Sequence, residues 1–205
     1  MAPRLTIHFI VKWQNATQAQ VDRLLEHARR HDRDGFDARV GRPLFEEEID
    51  GEFLISALHR LSLALAWQQG KRSTWWPKPT QSALDRVKRS LEVLVPDSSM
   101  RDVIEHYDAY AAGRGGNKEP FKGRRTAYVG TSLGSTPDEP GSEDAQVVMS
   151  LRGIEPFGCV DIPPVYSLDA AAVGDWLDVE ISPLIDLLVT TEREFHYCSE
   201  GPPYY

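Results

Sequence analysis

Residues Ser99-Met100-Arg101-Asp102-Val103-Ile104-Glu105-His106-Tyr107-Asp108 hold an arginine, a carboxylate and a histidine within a turn and a half of helix. Arginine stays charged at every accessible pH, whereas imidazole titrates near neutrality. Together they are the parts needed to cut a phosphodiester without a metal: a group that moves a proton, and a cation for the charge on phosphoryl oxygens. On a helix at about 100° per residue, Met100, Val103, Ile104, Tyr107 and Ala111 form an apolar stripe. Arg101, Glu105 and Asp108 share one shoulder of it; Asp102, His106 and Tyr110 share the other. Asp102 lies one turn before His106, where its carboxylate could accept an imidazole N–H and hold one tautomer. Arg101 and His106 are about 140° apart, so one straight helix cannot aim both at one atom. A two-fold dimer that brings two copies of the helix around a shared cleft would solve this.

The elements that must position this segment are legible from apolar periodicity. Leu5, Ile7, Phe9, Val11 and Trp13 alternate with Thr6, His8 and Lys12, which predicts a strand. Thr17 and Gln20 have capping-box spacing, and Val21, Leu24, Leu25 and Ala28 predict a helix up to Gly35. The longest helical signal runs from Phe45 through Ile49, Phe53, Leu54, Ala57, Leu58, Leu61, Ala64 and Leu65 to Gly70. Ile55, Leu63 and Ala66 widen its stripe enough to predict a central position. Trp75-Trp76-Pro77-Lys78-Pro79 is a connector whose tryptophans are better read as packing over a helix end than as base-stacking groups. Thr80 is read as the cap of a helix carrying Leu84, Val87, Leu91 and Leu94, which Pro96 stops. Asp97, Ser98 or Ser99 caps the motif helix, and Gly113, Gly115 and Gly116 end it.

Beyond residue 125 the pattern changes to strands over Thr126–Thr131 and Gln146–Leu151, joined by a polar connector from Ser132 to Asp144. Phe157–Val160 is a candidate third strand. Ser182-Pro183 opens a C-terminal helix through Ile185, Leu187, Leu188 and Phe195. The expected fold is mainly α: an antiparallel helical bundle with a small β appendage of C-terminal strands, which the N-terminal strand could join. The expected divisions are 1–16 for that strand, 17–125 for the helical core, and 126–205 for the hairpin appendage and C-terminal helix.

The 205 residues carry 41% hydrophobic and 26% charged side chains, an ordinary globular balance that needs no disulfide or metal staple. No apolar run approaches the length of a membrane span, and the N-terminus lacks the order of a secretory signal, so a cytoplasmic location is expected. Cys159 and Cys198 are read as reduced thiols, with a long-range disulfide left open. A net charge of −8 argues against binding nucleic acid over the whole surface. Any such site must be local, and Arg114, Lys118, Lys122, Arg124 and Arg125 are the local basic run. Glu46, Glu47, Glu48, Asp50 and Glu52 form the opposing acidic block, read first as favourable placement at a helix start.

Arg101-Asp102-x-x-x-His106 resembles the Arg-polar-x-x-x-His signature of HEPN domains, helical bundles that are usually dimeric and often metal-independent endoribonucleases. The longer wording, Arg101 through Asp108, is similar to that of HEPN-like bacterial proteins. So is the order of elements, in which the long apolar helix at 53–61 precedes a second helix and then the motif. The resemblance covers roughly residues 17–113. It implies that His106 acts as general acid or base toward a ribose 2′-OH and that Arg101 stabilises the phosphoryl charge. It also implies a 2′,3′-cyclic phosphate and a 5′-OH as products, with Asp102 orienting the imidazole. The basic residues 114, 118, 122, 124 and 125 would hold flanking phosphates without reading sequence. No cofactor or metal is expected. The expected partners are a second copy, RNA, and a cognate antitoxin or other restraining protein, as in toxin–antitoxin and antiphage modules.

The same residues permit a non-catalytic reading. Arg101 can pair with Glu105 and Asp108, and His106 with Asp102, along a dimerisation, nucleotide-binding or partner-binding seam. A third reading makes the acidic 46–52 block the recognition face of an immunity protein. Weaker constellations are Glu194-Phe195-His196-Tyr197-Cys198, which lacks zinc spacing, and His27 with His31, flanked by Arg29, Arg30 and Arg33 and read as a solvated face. Gly113-Arg114-Gly115-Gly116 has no following Lys-Ser/Thr and is not a P-loop, and no nucleophile elbow is present.

Overall fold

The computed structural model describes residues 4–34, 45–69, 76–94, 126–134, 146–155 and 158–200. The order is α1 (Arg4–Asp34), α2 (Phe45–Gln69), α3 (Lys78–Leu94), β1 (Thr126–Gly134), β2 (Gln146–Glu155), β3 (Gly158–Asp169), α4 (Ala170–Trp176), a π turn (Leu177–Ile181) and α5 (Ser182–Glu200). Among the described residues no helix is long and apolar enough to cross a membrane.

The expected strand over residues 5–13 is instead the first third of α1, which replaces the expected 1–16 unit. Ile10 explains the difference: it falls out of phase with the two-residue alternation, yet it is completely buried. The face that wins is Ile7, Ile10, Thr17, Val21 and Leu24, spaced by two threes, one four and one seven, as a helix requires. No glycine or proline interrupts residues 4–34. Thr17, expected to cap, is buried mid-helix, and its hydroxyl donates to the Trp13 carbonyl at 2.7 Å.

α2 forms as expected, with Glu46, Glu47 and Glu48 in its first turn, where carboxylates favour the positive end of the helix. Its buried side is Leu54, Ile55, Leu58, Leu61 and Leu65, each contributing roughly 2 kcal/mol by leaving water. α1 and α2 run antiparallel, since His27 meets Asp50 while Trp13 meets Arg60. α3 starts before Thr80: the Gln81 N–H donates to the Pro77 carbonyl, making the first helical bond. Thr80 is therefore within the first turn, buried and facing Thr191 at 3.4 Å. That contact and Ser90–Glu180 set α3 antiparallel to the π turn and α5.

The three strands form an antiparallel sheet in the order β1-β2-β3. β1 extends three residues into the expected connector, where Ser132, Leu133 and Gly134 pair with Val148, Val147 and Gln146. β3 is much longer than expected. Its register against β2 skips between Ile162 and Tyr166, across Pro163 and Pro164, which have no N–H to donate to a ladder. Val147 and Leu168 pair in register and are buried in the same core as the helices. The expected 17–125 and 126–205 segments thus share one core.

Asp169 ends the sheet and caps α4, its Oδ1 accepting from the Ala171 and Ala172 N–H groups at 2.8 and 3.3 Å. α4 crosses α1 closely enough that a Cβ on Gly174 would lie 3.2 Å from Val21 Cγ1. The π turn precedes Pro183, whose missing N–H and ring bulk disfavour an α turn over the preceding carbonyls. The Ser182 N–H and hydroxyl both reach the Leu177 carbonyl, and Gln14 Nε2 donates to the same hydroxyl at 3.0 Å.

Candidate functional site

Every residue of the expected phosphodiester site lies outside the described residues: Arg101, Asp102 and His106, and the basic run Arg114, Lys118, Lys122, Arg124 and Arg125. So do Trp75, Gly113, Gly115 and Gly116. Two described elements bracket the segment, α3 ending at Leu94 and β1 beginning at Thr126.

Among the described residues, titratable side chains converge in a groove of about 530 Å³ between α1 and α2. Asp22, Arg23, Glu26, His27 and Arg30 come from α1; Glu46, Ile49 and Asp50 come from α2. On α1 the set Arg23, His27, Arg30 follows i, i+4, i+7 and shares one face. Asp50 falls in phase with Leu54, Leu58, Leu61 and Leu65, so its short side chain points into the helix seam. There its Oδ2 lies 2.9 Å from His27 Nε2, and its Oδ1 accepts from Arg23 Nη1 at 3.3 Å. The His27 and Asp50 side chains are only 12% and 11% exposed, while Arg23 is 63% exposed.

His27 is therefore not on a solvated face. A nearly buried carboxylate fixes its ring, as such partners fix imidazoles in many sites. Glu26 accepts from Arg30 Nε at 3.1 Å, and Asp22 from Gln18 Nε2 at 3.0 Å. Those two pairs lie along the exposed side of α1, so only the bonds of Asp50 to His27 and Arg23 tie α1 to α2 across the groove. Arranged this way the groove can clamp two helices and keep one imidazole oriented; its four carboxylates and two arginines do not form a uniform anion or cation cradle. Among the described residues no three His, Cys, Asp or Glu side chains are placed to hold a metal.

The acidic block divides by depth. Glu46, Glu47 and Glu48 occupy the first turn, Asp50 is spent on His27 and Arg23, and Glu52 is half-buried. Burial, with Glu48 adding like-charge repulsion, pushes the Glu52 carboxyl above its usual range. At the other end of the helix pair, Lys12 Nζ and Arg60 Cζ lie 5.1 and 5.2 Å from the Trp13 ring centroid. Trp76 is buried and donates from Nε1 to Gln68 Oε1 at 3.1 Å, so this tryptophan packs over the end of α2.

Comparison with protein-family models, curated proteins and solved structures gives no match.

The Arg23–Asp50–His27 cluster was not singled out from sequence, although a signal was present. Asp50 shares the phase of the buried leucines, as Glu47 does one turn earlier, and it is the one acidic residue of the block that is buried. Ile49 and Phe53, expected on the buried stripe with those leucines, are instead 48% and 56% exposed.

Proposed function

We propose that this chain is a HEPN-like, metal-independent endoribonuclease that acts as a homodimer in the cytoplasm. The observation that carries the proposal is the sequence Arg101-Asp102-Val103-Ile104-Glu105-His106-Tyr107-Asp108, which follows three helices in a chain whose described residues are mainly helical. In this reading His106 takes the proton of a ribose 2′-OH as the 2′ oxygen bonds the adjacent phosphorus. The bond from phosphorus to the 5′ oxygen breaks, and that oxygen takes a proton from water as it leaves. Arg101 neutralises charge on the phosphoryl oxygens, and Asp102 orients the imidazole. Arg114, Lys118, Lys122, Arg124 and Arg125 grip flanking phosphates, the local basic feature that an acidic chain needs for RNA. Restraint by an antitoxin or another partner protein would keep such an activity from the cell's own RNA.

The test is incubation of the purified protein with total RNA in EDTA, comparing wild type with His106→Ala. Cleavage yielding 2′,3′-cyclic phosphate ends, reduced at least about 100-fold in the variant, is expected. No cleavage, or equal cleavage by both proteins, overturns the proposal.

A second reading, a non-catalytic assembly module, draws on the apolar side chains that α2 leaves in solvent. It expects Arg101→Ala to impair assembly in a protein that never cleaves RNA. The immunity-protein reading is weakened by Asp50, since a carboxylate paired with His27 and Arg23 is not available to mimic a phosphate.

A further inference from the structure

α2 buries one side against the core and carries a second set of large apolar side chains on the opposite side. On its other side Ile49, Phe53, Leu63 and Trp67 are 48%, 56%, 54% and 47% exposed. With Ser56 and Arg60 they occupy positions 49, 53, 56, 60, 63 and 67. The spacing is four, three, four, three, four, the alternation of a coiled-coil seam. At about 100° per residue the six positions fall within an arc of about 80°. A contiguous exposed apolar stripe of this kind marks an interaction surface.

The spacing is also a palindrome about residue 58. When the stripe is laid antiparallel on a copy of itself, Ile49 falls opposite Trp67 of the partner subunit and Phe53 opposite Leu63 of the partner subunit. Ser56 falls opposite Arg60 of the partner subunit. Large apolar groups meet large apolar groups, and the single cation meets a hydroxyl. We infer that the outer face of α2 is a self-association surface, on which α2 of a second copy packs antiparallel about a two-fold axis at the level of residue 58. A two-fold interface requires this self-complementarity. A single charged residue within the seam fixes register, as polar groups do in coiled coils. Arg60 is already oriented for it by the Trp13 ring.

The four apolar side chains each bring an exposed area on the order of 100 Å². Two copies with their flanking residues thus approach the roughly 1,000 Å² of a specific interface. A lipid surface fits less well, because Glu46, Glu48 and Glu52 border the stripe and the chain's net charge is −8. The inference rests on the exposure pattern of α2 and stands independently of the nuclease reading.

Sedimentation equilibrium of the full chain at about 1–100 μM tests it. A dimer is expected, and Phe53→Lys or Leu63→Glu alone should weaken it at least about 30-fold while leaving circular dichroism unchanged and lowering melting only at concentrations where the wild type is dimeric. The double variant Phe53→Lys/Leu63→Glu should recover the dimer, because the new charges face each other across the two-fold axis only in the antiparallel register. A monomeric wild type overturns the inference, as does a dimer that both single substitutions leave intact. Failure of the double variant to recover overturns the antiparallel register. Pelleting of the wild type with phosphatidylserine vesicles, abolished by Leu63→Glu, would overturn it in favour of a membrane surface.

Discussion

Replacing Asp50 by alanine removes the acceptor that ties α1 to α2. Two bonds go with it, from His27 Nε2 at 2.9 Å and from Arg23 Nη1 at 3.3 Å. Their worth differs, because Arg23 is mostly in water and His27 is not. An exposed guanidinium that loses a carboxylate is rehydrated, at a cost of about 0.5 kcal/mol or less. An imidazole held 88% out of solvent has no such recourse, and losing its partner costs about 1.5–3 kcal/mol. The sum for Asp50→Ala is about 2–3 kcal/mol, which for a chain of this size lowers Tm by roughly 4–12 °C. Arg23→Ala should stay within about 0.5 kcal/mol. A double-mutant cycle of His27→Ala and Asp50→Ala in urea should give a coupling of about 1–2 kcal/mol. Unchanged m-values would show that the native state, not the unfolded one, carries the effect. A coupling below about 0.3 kcal/mol, or an Arg23→Ala loss as large as that of Asp50→Ala, would refute the seam as a buried clamp.

Glu52→Gln should stabilise the protein increasingly as pH rises. The folded carboxyl titrates above its ordinary value of 4.5, so between the two values the native state holds a proton that the unfolded chain has released. Wild-type stability therefore falls as pH rises through that window, and the glutamine variant escapes the loss. Melting curves should nearly coincide at about pH 4 and separate in the variant's favour by about pH 7, and a pH-independent difference would contradict the account. Ser90→Ala removes a hydroxyl that donates to Glu180 Oε2 at 2.7 Å and accepts from Trp176 Nε1 at 3.0 Å. Chemical denaturation should show a loss of about 1–2 kcal/mol, because the indole N–H is left buried; a loss below about 0.3 kcal/mol would mean that water replaces the hydroxyl.

The helices with long, uninterrupted apolar stripes were legible in the chain. α2 and α3 are described as far as Gln69 and Leu94, short of the Gly70 and Pro96 expected to stop them, and α5 begins at Ser182-Pro183. Element identity was misread where two periodicities overlapped. Residues 5–13 satisfy a strand alternation at five positions, but only a helix also buries Ile10. β3 runs well past the expected Phe157–Val160, because a register skip lets the strand pass Pro163 and Pro164. α4 and the π turn were not read, although Asp169 before three alanines is a legible cap. Of the candidate sites, the motif at 101–106 was visible only in sequence, and the groove at His27 only in structure.

Sequence by itself determined the helical character, the glycine and proline boundaries, and the Arg101–His106 spacing, because these depend on local backbone preference and residue order. Tertiary structure decided which of two apolar faces α2 buries, and which carboxylate of an acidic run turns inward. Periodicity assigns a residue to a side of a helix, but only the neighbouring helices determine whether that side meets hydrocarbon or water. For Asp50 the answer depended on His27 and Arg23, more than twenty residues away along the chain.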